Sequence, residues 1–343
     1  MRGFGSDNHA SVHPQIMQAL LEANVNHAPS YGTDQWTEQA ELAFKKHFGD
    51  KAKIFFVFNG TAANVLCLRA ANRSHQSVIC TDVAHINVDE CAAPEVLAQT
   101  KLIAVPHHQG KLTKQQIEDC LIRLGDQHFA QVKMVSLTQP TELGTLYSLE
   151  ELKDITAFCK SKKLYVHIDG ARLANAAYKL GCTFKQMTTD LGVDLVSFGG
   201  TKNGLLGGEA VVFLNPELAQ DFVYLRKQFG QLPSKTRFIA AQFIAYFAND
   251  LWLEIAKQSC DLAQLLHEKC KTLSGVEVTQ PVQSNAVFAK IPAKWVKPLR
   301  QNHFFYVWDE KTFECRWMTS WDLTEADILS FTAELEQQAQ RQP

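Results

Sequence analysis

The sequence has no apolar run of about 18 residues, the length a membrane-spanning helix needs. Its N-terminal segment "MRGFGSDNHASVHP" has no apolar core of the kind a signal peptide carries. No membrane span and no secretory leader are expected, and the expected home is the cytoplasm. Charge of one sign is lacking too: 34 basic residues face 36 acidic ones, for a net charge of −2. No broad footprint for nucleic acid or an anionic membrane results. The nine cysteines are odd in number, scattered and without a CxxC pair. They read as reduced thiols serving as small core residues, neither a disulfide framework nor a zinc site. Repeats, low-complexity tracts and Gly/Ser linkers are absent.

What remains is an ordinary globular composition, 46% hydrophobic and 20% charged over 343 residues, enough for one large or two packed domains. Short apolar, β-branched runs recur at 53–58, 77–81, 101–105, 132–138, 164–169, 195–199 and 210–214. Amphipathic segments separate several of them. Two open with capping boxes, Ser148 with Glu151 and Thr113 with Gln116. Strands alternating with helices predict an α/β fold with a mostly parallel sheet covered on both faces. Beyond residue 216 the rhythm changes to a long helical stretch over 236–271. Short strands follow near "VEVTQ", "AVFAKI" and "FECRWMTS", then a terminal helix from Thr324. This reads as an arm (1–15), a large α/β domain (16–235) and a smaller α+β domain (236–343). The aromatic run at 303–308 is assigned to the small domain's core, and His107 and His108 to a polar turn.

Ligands of parallel α/β sheets sit beyond the carboxyl ends of the strands, so the residues there carry the chemistry. After the first run comes "NGTAAN" (59–64). Gly60, Thr61 and the start of a helix make either a phosphate cradle or a plain cap. His85, with Glu90 nearby, follows the second run. It is either structural or a ring-stacking or proton-transferring group. Asp169 ends "LYVHID" and needs a cation, which is Arg172 or a protonated ring nitrogen. His167 is assigned to the core. Lys202 lies in "SFGGTKNGLLGG" (197–208), where the glycines are expected to make room for a ligand. In chain order these are the parts pyridoxal phosphate requires: a phosphate cradle, a histidine, an aspartate for the pyridinium and a lysine for a Schiff base.

The residues match a known family nearly end to end. The chain resembles the low-specificity L-threonine aldolases, pyridoxal-phosphate enzymes of fold type I. The likeness rests on "SDN" (6–8), "YGTDQWT" (31–37), "FNGTAAN" (58–64), "AHINVDECAAPE" (84–95), "HIDGAR" (167–172), "FGGTKNG" (198–204), "QLPSKTRF" (231–238) and "SWD" (320–322). It is similar to the bacterial branch that includes phenylserine aldolases.

The resemblance implies a large cofactor-binding domain plus a small C-terminal α+β domain. Lys202 would form the Schiff base, Asp169 pair with the ring nitrogen and His85 stack on the ring. Gly60, Thr61, Ala62 and Thr201 would hold the cofactor. Arg172 would contact both cofactor and substrate carboxylate, joined by Ser6 and Arg316. Tyr31 and Asp34 would line the site. A basic residue from a second subunit, Lys235 or Arg237, would reach the phosphate, which makes the protein a homo-oligomer. The implied reaction is retro-aldol cleavage of β-hydroxy-α-amino acids to glycine and an aldehyde. Some relatives carry a histidine where this chain reads "TQPTELG" (138–144). That leaves His85, Glu142 or a water as the general base. Elimination or transamination on the same cofactor is the alternative chemistry, and a non-catalytic cofactor-binding protein a third reading.

Overall fold

The structure is a computed structural model that describes residues 2–340. Seven strands form one sheet: β1 (Lys53–Val57), β2 (Gln76–Thr81), β3 (Lys101–Val105), β4 (Gln131–Thr138), β5 (Tyr165–Gly170), β6 (Leu195–Gly199) and β7 (Glu209–Phe213). Each lies within one residue of its apolar run. Their spatial order is β1-β7-β6-β5-β4-β2-β3, and β7 alone runs against the rest. Because both faces are covered, β6 and β7 are buried at every position, which is why they read as unbroken apolar runs. Both capping boxes form, at Thr113–Gln116 and Ser148–Glu151.

One face of the sheet packs an aromatic core. Phe44 of the helix Gln35–Phe48 meets Phe243 and Phe247 of the helix Arg237–Phe247 at 5.1 and 4.9 Å between ring centroids. Phe56 and Phe198 of the sheet join them. The helix Gly60–Ala71 covers the opposite face with Val65, Leu66 and Leu68.

The helical stretch expected over 236–271 comprises two helices, Arg237–Phe247 and Leu251–Cys270. Asn249 and Asp250 break it with φ of 50° and 56°. The short side chains of Asn and Asp tolerate this left-handed conformation, which ends a helix.

A second sheet, in the order β10-β11-β9-β8, comprises β8 (Glu277–Val278), β9 (Ala286–Lys290), β10 (Tyr306–Asp309) and β11 (Glu314–Met318). The helix Glu325–Gln340 packs on it. The run at 303–308 is only partly core: Phe305 is fully buried, whereas Phe304 and Tyr306 are exposed and Tyr306 opens β10. His107 pairs with Asp82, and His108 bridges Lys111 in a turn. Phe4 anchors the N-terminal arm in the small-sheet core; its N–H donates to Phe304 O and its carbonyl accepts from Met318 N. The arm therefore runs between the two sheets and delivers residues 6–8 to the strand ends. No helix among the described residues is long and apolar enough to cross a membrane.

Candidate active site

The carboxyl ends of the parallel strands and the first residue of β7 meet at one edge of the large sheet, around a cavity of about 520 Å³. It is lined by Gly60, Thr61, His85, Glu142, Asp169, Arg172, Thr201 and Lys202, among others. Eight separately predicted positions thus come together.

Asp169 is the next-to-last residue of β5, with its side chain buried. It accepts hydrogen bonds from Asn64 Nδ2 at 2.8 Å and Ala171 N at 3.1 Å. Arg172 is not its ion-pair partner. The Arg172 guanidinium instead grips Asp7 of the arm, Nε to Oδ2 at 2.5 Å and Nη2 to Oδ1 at 2.8 Å. Asp169 is thus a buried carboxylate without a salt bridge among the described residues, suited to a cationic ring nitrogen.

Burial pushes the Asp7 carboxyl up, but Arg172 more than offsets this and holds it below the ordinary range. The charge of Arg172, with burial, pushes the Lys202 amine down, toward the neutral nucleophilic form. Burial and then Arg172 also push Arg316 down, to about 10. Arg316 stacks on Trp308, and its buried Nε has no partner. Two guanidiniums close enough to repel each other favour a neighbouring anion.

The helix Gly60–Ala71 is capped by Asn59, whose Oδ1 accepts from Ala62 N at 2.9 Å. Ala62 is thereby corrected: its N–H is taken by the cap, and the residue does not line the cavity. The Gly60 and Thr61 N–H groups find no acceptor among the described residues. A Cβ on Gly60 would stand in open space, with no atom within 4 Å. This is a helix terminus ready for phosphate. The residues present fit pyridoxal phosphate: free N–H groups at one end, an uncompensated carboxylate at the other, and a lysine between strand ends.

A family model described as beta-eliminating lyase matches residues 3–293. A low specificity L-threonine aldolase from Pseudomonas aeruginosa is 42% identical over 320 residues, covering 93% of this chain and 92% of that protein. Another from a Pseudomonas species is 40% identical, covering 97% and 96%. The chain belongs to the beta-eliminating lyase family, among its low-specificity L-threonine aldolases. A solved threonine aldolase structure from Leishmania major superposes with a TM-score of 0.93 at 29% identity, covering 99% of this chain and 100% of that one. The architecture is that of fold type I.

Several positions that the aldolase resemblance points to lie outside the cavity lining. Tyr31 is 51% exposed with a left-handed φ of 61°. Asp34 caps the helix Gln35–Phe48 through Thr37. Ser6 Oγ accepts from Asn8 N on the arm, and Arg316 reaches from β11 to the arm, Nη2 donating to Gly5 O at 3.4 Å. Lys235 is exposed. Arg237 donates to the carbonyls of Val25 and Asn26 and lies over Trp36.

Of the glycines in 197–208, Gly199 and Gly207 line the cavity as expected, and a Cβ on Gly207 would meet no atom within 4 Å, whereas Gly199 and Gly200 have a second role in packing. A Cβ on Gly199 would lie 2.3 Å from Ala171 O, and one on Gly200 2.5 Å from Gly208 O. They let backbone meet backbone, and that packing sets where Lys202 emerges.

His85 is held by Glu90, Nδ1 to Oε1 at 2.9 Å; this bond outweighs burial and raises the imidazole's pKa. Glu142 Oε1 accepts from His85 N at 2.9 Å and Thr138 Oγ1 at 2.6 Å, while Oε2 is buried without a partner. Burial pushes this carboxyl up to about 7. Buried His167 hydrogen-bonds Ser136 and Ser197, and burial pushes it down to about 4, a neutral core residue as expected. Sequence reasoning missed Asn64, Asp7 and Glu209. Glu209 opens a fully buried strand and binds Gly200 N. An acid in so apolar a run was the available signal.

Proposed function

We propose that this chain cleaves L-threonine, L-allo-threonine and related β-hydroxy-α-amino acids to glycine and an aldehyde, using pyridoxal phosphate. The observation that carries this reading is the pairing, in one cavity, of Lys202 with the salt-bridge-free buried Asp169. When bound, the cofactor supplies the electron sink for the bond broken at the amino acid's Cα.

Lys202 would hold the cofactor through its amine, and Asp169 would keep the ring nitrogen protonated. The Gly60 and Thr61 N–H groups would take the phosphate. Arg172 and Arg316 would hold the substrate carboxylate, with Ser6 beside them. Asp7 fixes the Arg172 fork, so the carboxylate is oriented as well as bound. The general base is assigned to Glu142. Its Oε1 is fixed by two donors and its Oε2 lacks a partner, whereas the bond to Glu90 raises the pKa of His85 and so lowers its share of free imidazole base. A carboxylate that ionises near pH 7 suits removal of the β-hydroxyl proton at neutral pH.

Phe58 and Leu206 rim the cavity and are 50% and 61% exposed. A second subunit would cover them and bring the exposed Lys235 to the phosphate. The free cysteines, most of them buried, fit a reducing compartment such as the cytoplasm.

Supplying purified protein with cofactor and L-threonine, L-allo-threonine or L-threo-phenylserine tests the reaction. Equimolar glycine and aldehyde are expected, and the relative rates rank acetaldehyde against benzaldehyde release. The family model's own description favours elimination as the second reading. Ammonia with a keto acid, and no glycine, would replace the aldolase reading with that one.

A further inference from the structure

Asn64 is buried in the helix Gly60–Ala71, and both hydrogens of its side-chain amide go to carboxylates. Nδ2 donates to Glu90 Oε1 and to Asp169 Oδ2, each at 2.8 Å. Those oxygens come from segments far apart in the chain, yet stand within two hydrogen-bond lengths of each other. The amide's own oxygen is buried without a partner, as is Glu90 Oε2. A buried unpaired carbonyl is unfavourable and calls for an explanation. Only the nitrogen can face two carboxylates, so the amide's orientation is fixed by chemistry.

We infer that Asn64 is a positioning residue that holds the Asp169 and Glu90 carboxyl groups side by side, so that one amide serves both the ring-nitrogen carboxylate and the His85 partner. This rests on the pyridoxal-phosphate reading for the role of Asp169. Burial already pushes the Glu90 carboxyl up, with the His85 and Asn64 hydrogen bonds acting against it, and without that amide two neighbouring carboxylates take up a proton more readily. If Glu90 takes it, His85 loses the acceptor that keeps it protonated. If Asp169 takes it, the ring nitrogen loses its counter-charge. Lys202, Arg172, Glu142, His167, Cys67 and His85 also face Asp169, from the turns after β6 and β5, the loop after β4, β5 itself, the helix Gly60–Ala71 and the turn after β2. None of them touches both acids.

The test uses Asn64→Leu, with Asn64→Ser as a smaller variant should the first not fold. Two quantities are read: pyridoxal phosphate affinity by absorbance titration, and the His85 titration by NMR with and without cofactor. The expected result is about tenfold or more weaker cofactor binding, or a His85 midpoint lower by about one pH unit, one unit being tenfold. Adding Glu90→Gln removes one of the two charges. It should restore cofactor affinity to an Asn64→Leu protein that has lost it. Unchanged affinity and unchanged His85 titration would overturn the inference. So would an affinity loss that Glu90→Gln leaves as large, since that marks a packing role alone. If wild type bound no cofactor, the pyridoxal-phosphate reading would fail, and the His85 titration would still decide the role of Asn64.

Discussion

Replacing Asp7 by Asn tests how the arm and the site depend on each other. The substitution keeps the shape and one acceptor oxygen but removes the charge that Arg172 grips at 2.5 and 2.8 Å. Removing one partner of a buried ion pair costs about 3–5 kcal/mol. The Arg172 side chain is 20% exposed and Asp7 only 2%, so some charge is recovered by water and about 2–3 kcal/mol is expected. Asn285 also donates to Asp7 at 3.1 Å, and that bond survives in Asn. The folded-state pKa of Asp7 is depressed. Its contribution is therefore fully present above about pH 4 and fades as pH falls through the lower folded value. Urea unfolding at fixed protomer concentration should show a lower midpoint with an unchanged slope at pH 7, and a shrinking gap in acid. kcat/KM should fall as well, because the fork that orients the substrate carboxylate is loosened. A loss under about 0.5 kcal/mol, within the range of an ordinary surface change, with kcat/KM intact, would refute the reasoning.

Three further outcomes are expected. With Glu142 as base, kcat/KM rises with pH through about 7; Glu142→Gln should abolish that limb and lower the plateau by roughly 10²–10⁴. A surviving limb would move the base elsewhere. Gly199→Ala forces a Cβ to within 2.3 Å of Ala171 O and should destabilise by about 3 kcal/mol or more in urea unfolding, overpacking between backbone segments having no side chain to yield; a neutral result would mean the turn is looser than the structure shows. Lys235→Ala should weaken cofactor binding, whereas Arg237→Ala, whose guanidinium holds Val25 and Asn26, should lower stability instead. The reverse pattern in affinity titration and unfolding would exchange their roles.

The large sheet was legible because strands covered on both faces, such as β6 and β7, carry long apolar runs that polar turns interrupt. That Lys202, Asp169, His85, Gly60 and Thr61 would lie close together was legible because the ends of such strands meet along one edge of the sheet. Contacts across great sequence distance were not. Asp7 meets Arg172 at a separation of 165 residues, and Asn64 meets Asp169 at 105. Only the folded chain shows which acid each amide or guanidinium reaches. Whether Asp169 meets Arg172 or a ring nitrogen stays open in the sequence for that reason. Gly199 and Gly200 were read as space for a ligand because a glycine in sequence does not say which neighbour crowds it. The break at Asn249–Asp250 escaped because an apolar periodicity continues on either side of it.

The most direct test of the account is to reconstitute the purified protein with pyridoxal phosphate, reduce it with borohydride and map the modified peptide by mass. The account predicts a visible absorbance band lost on reduction, with the cofactor fixed to Lys202 and to no other lysine, and neither band nor adduct in Lys202→Ala. A cofactor fixed to another residue, or an adduct that persists in Lys202→Ala, would contradict it.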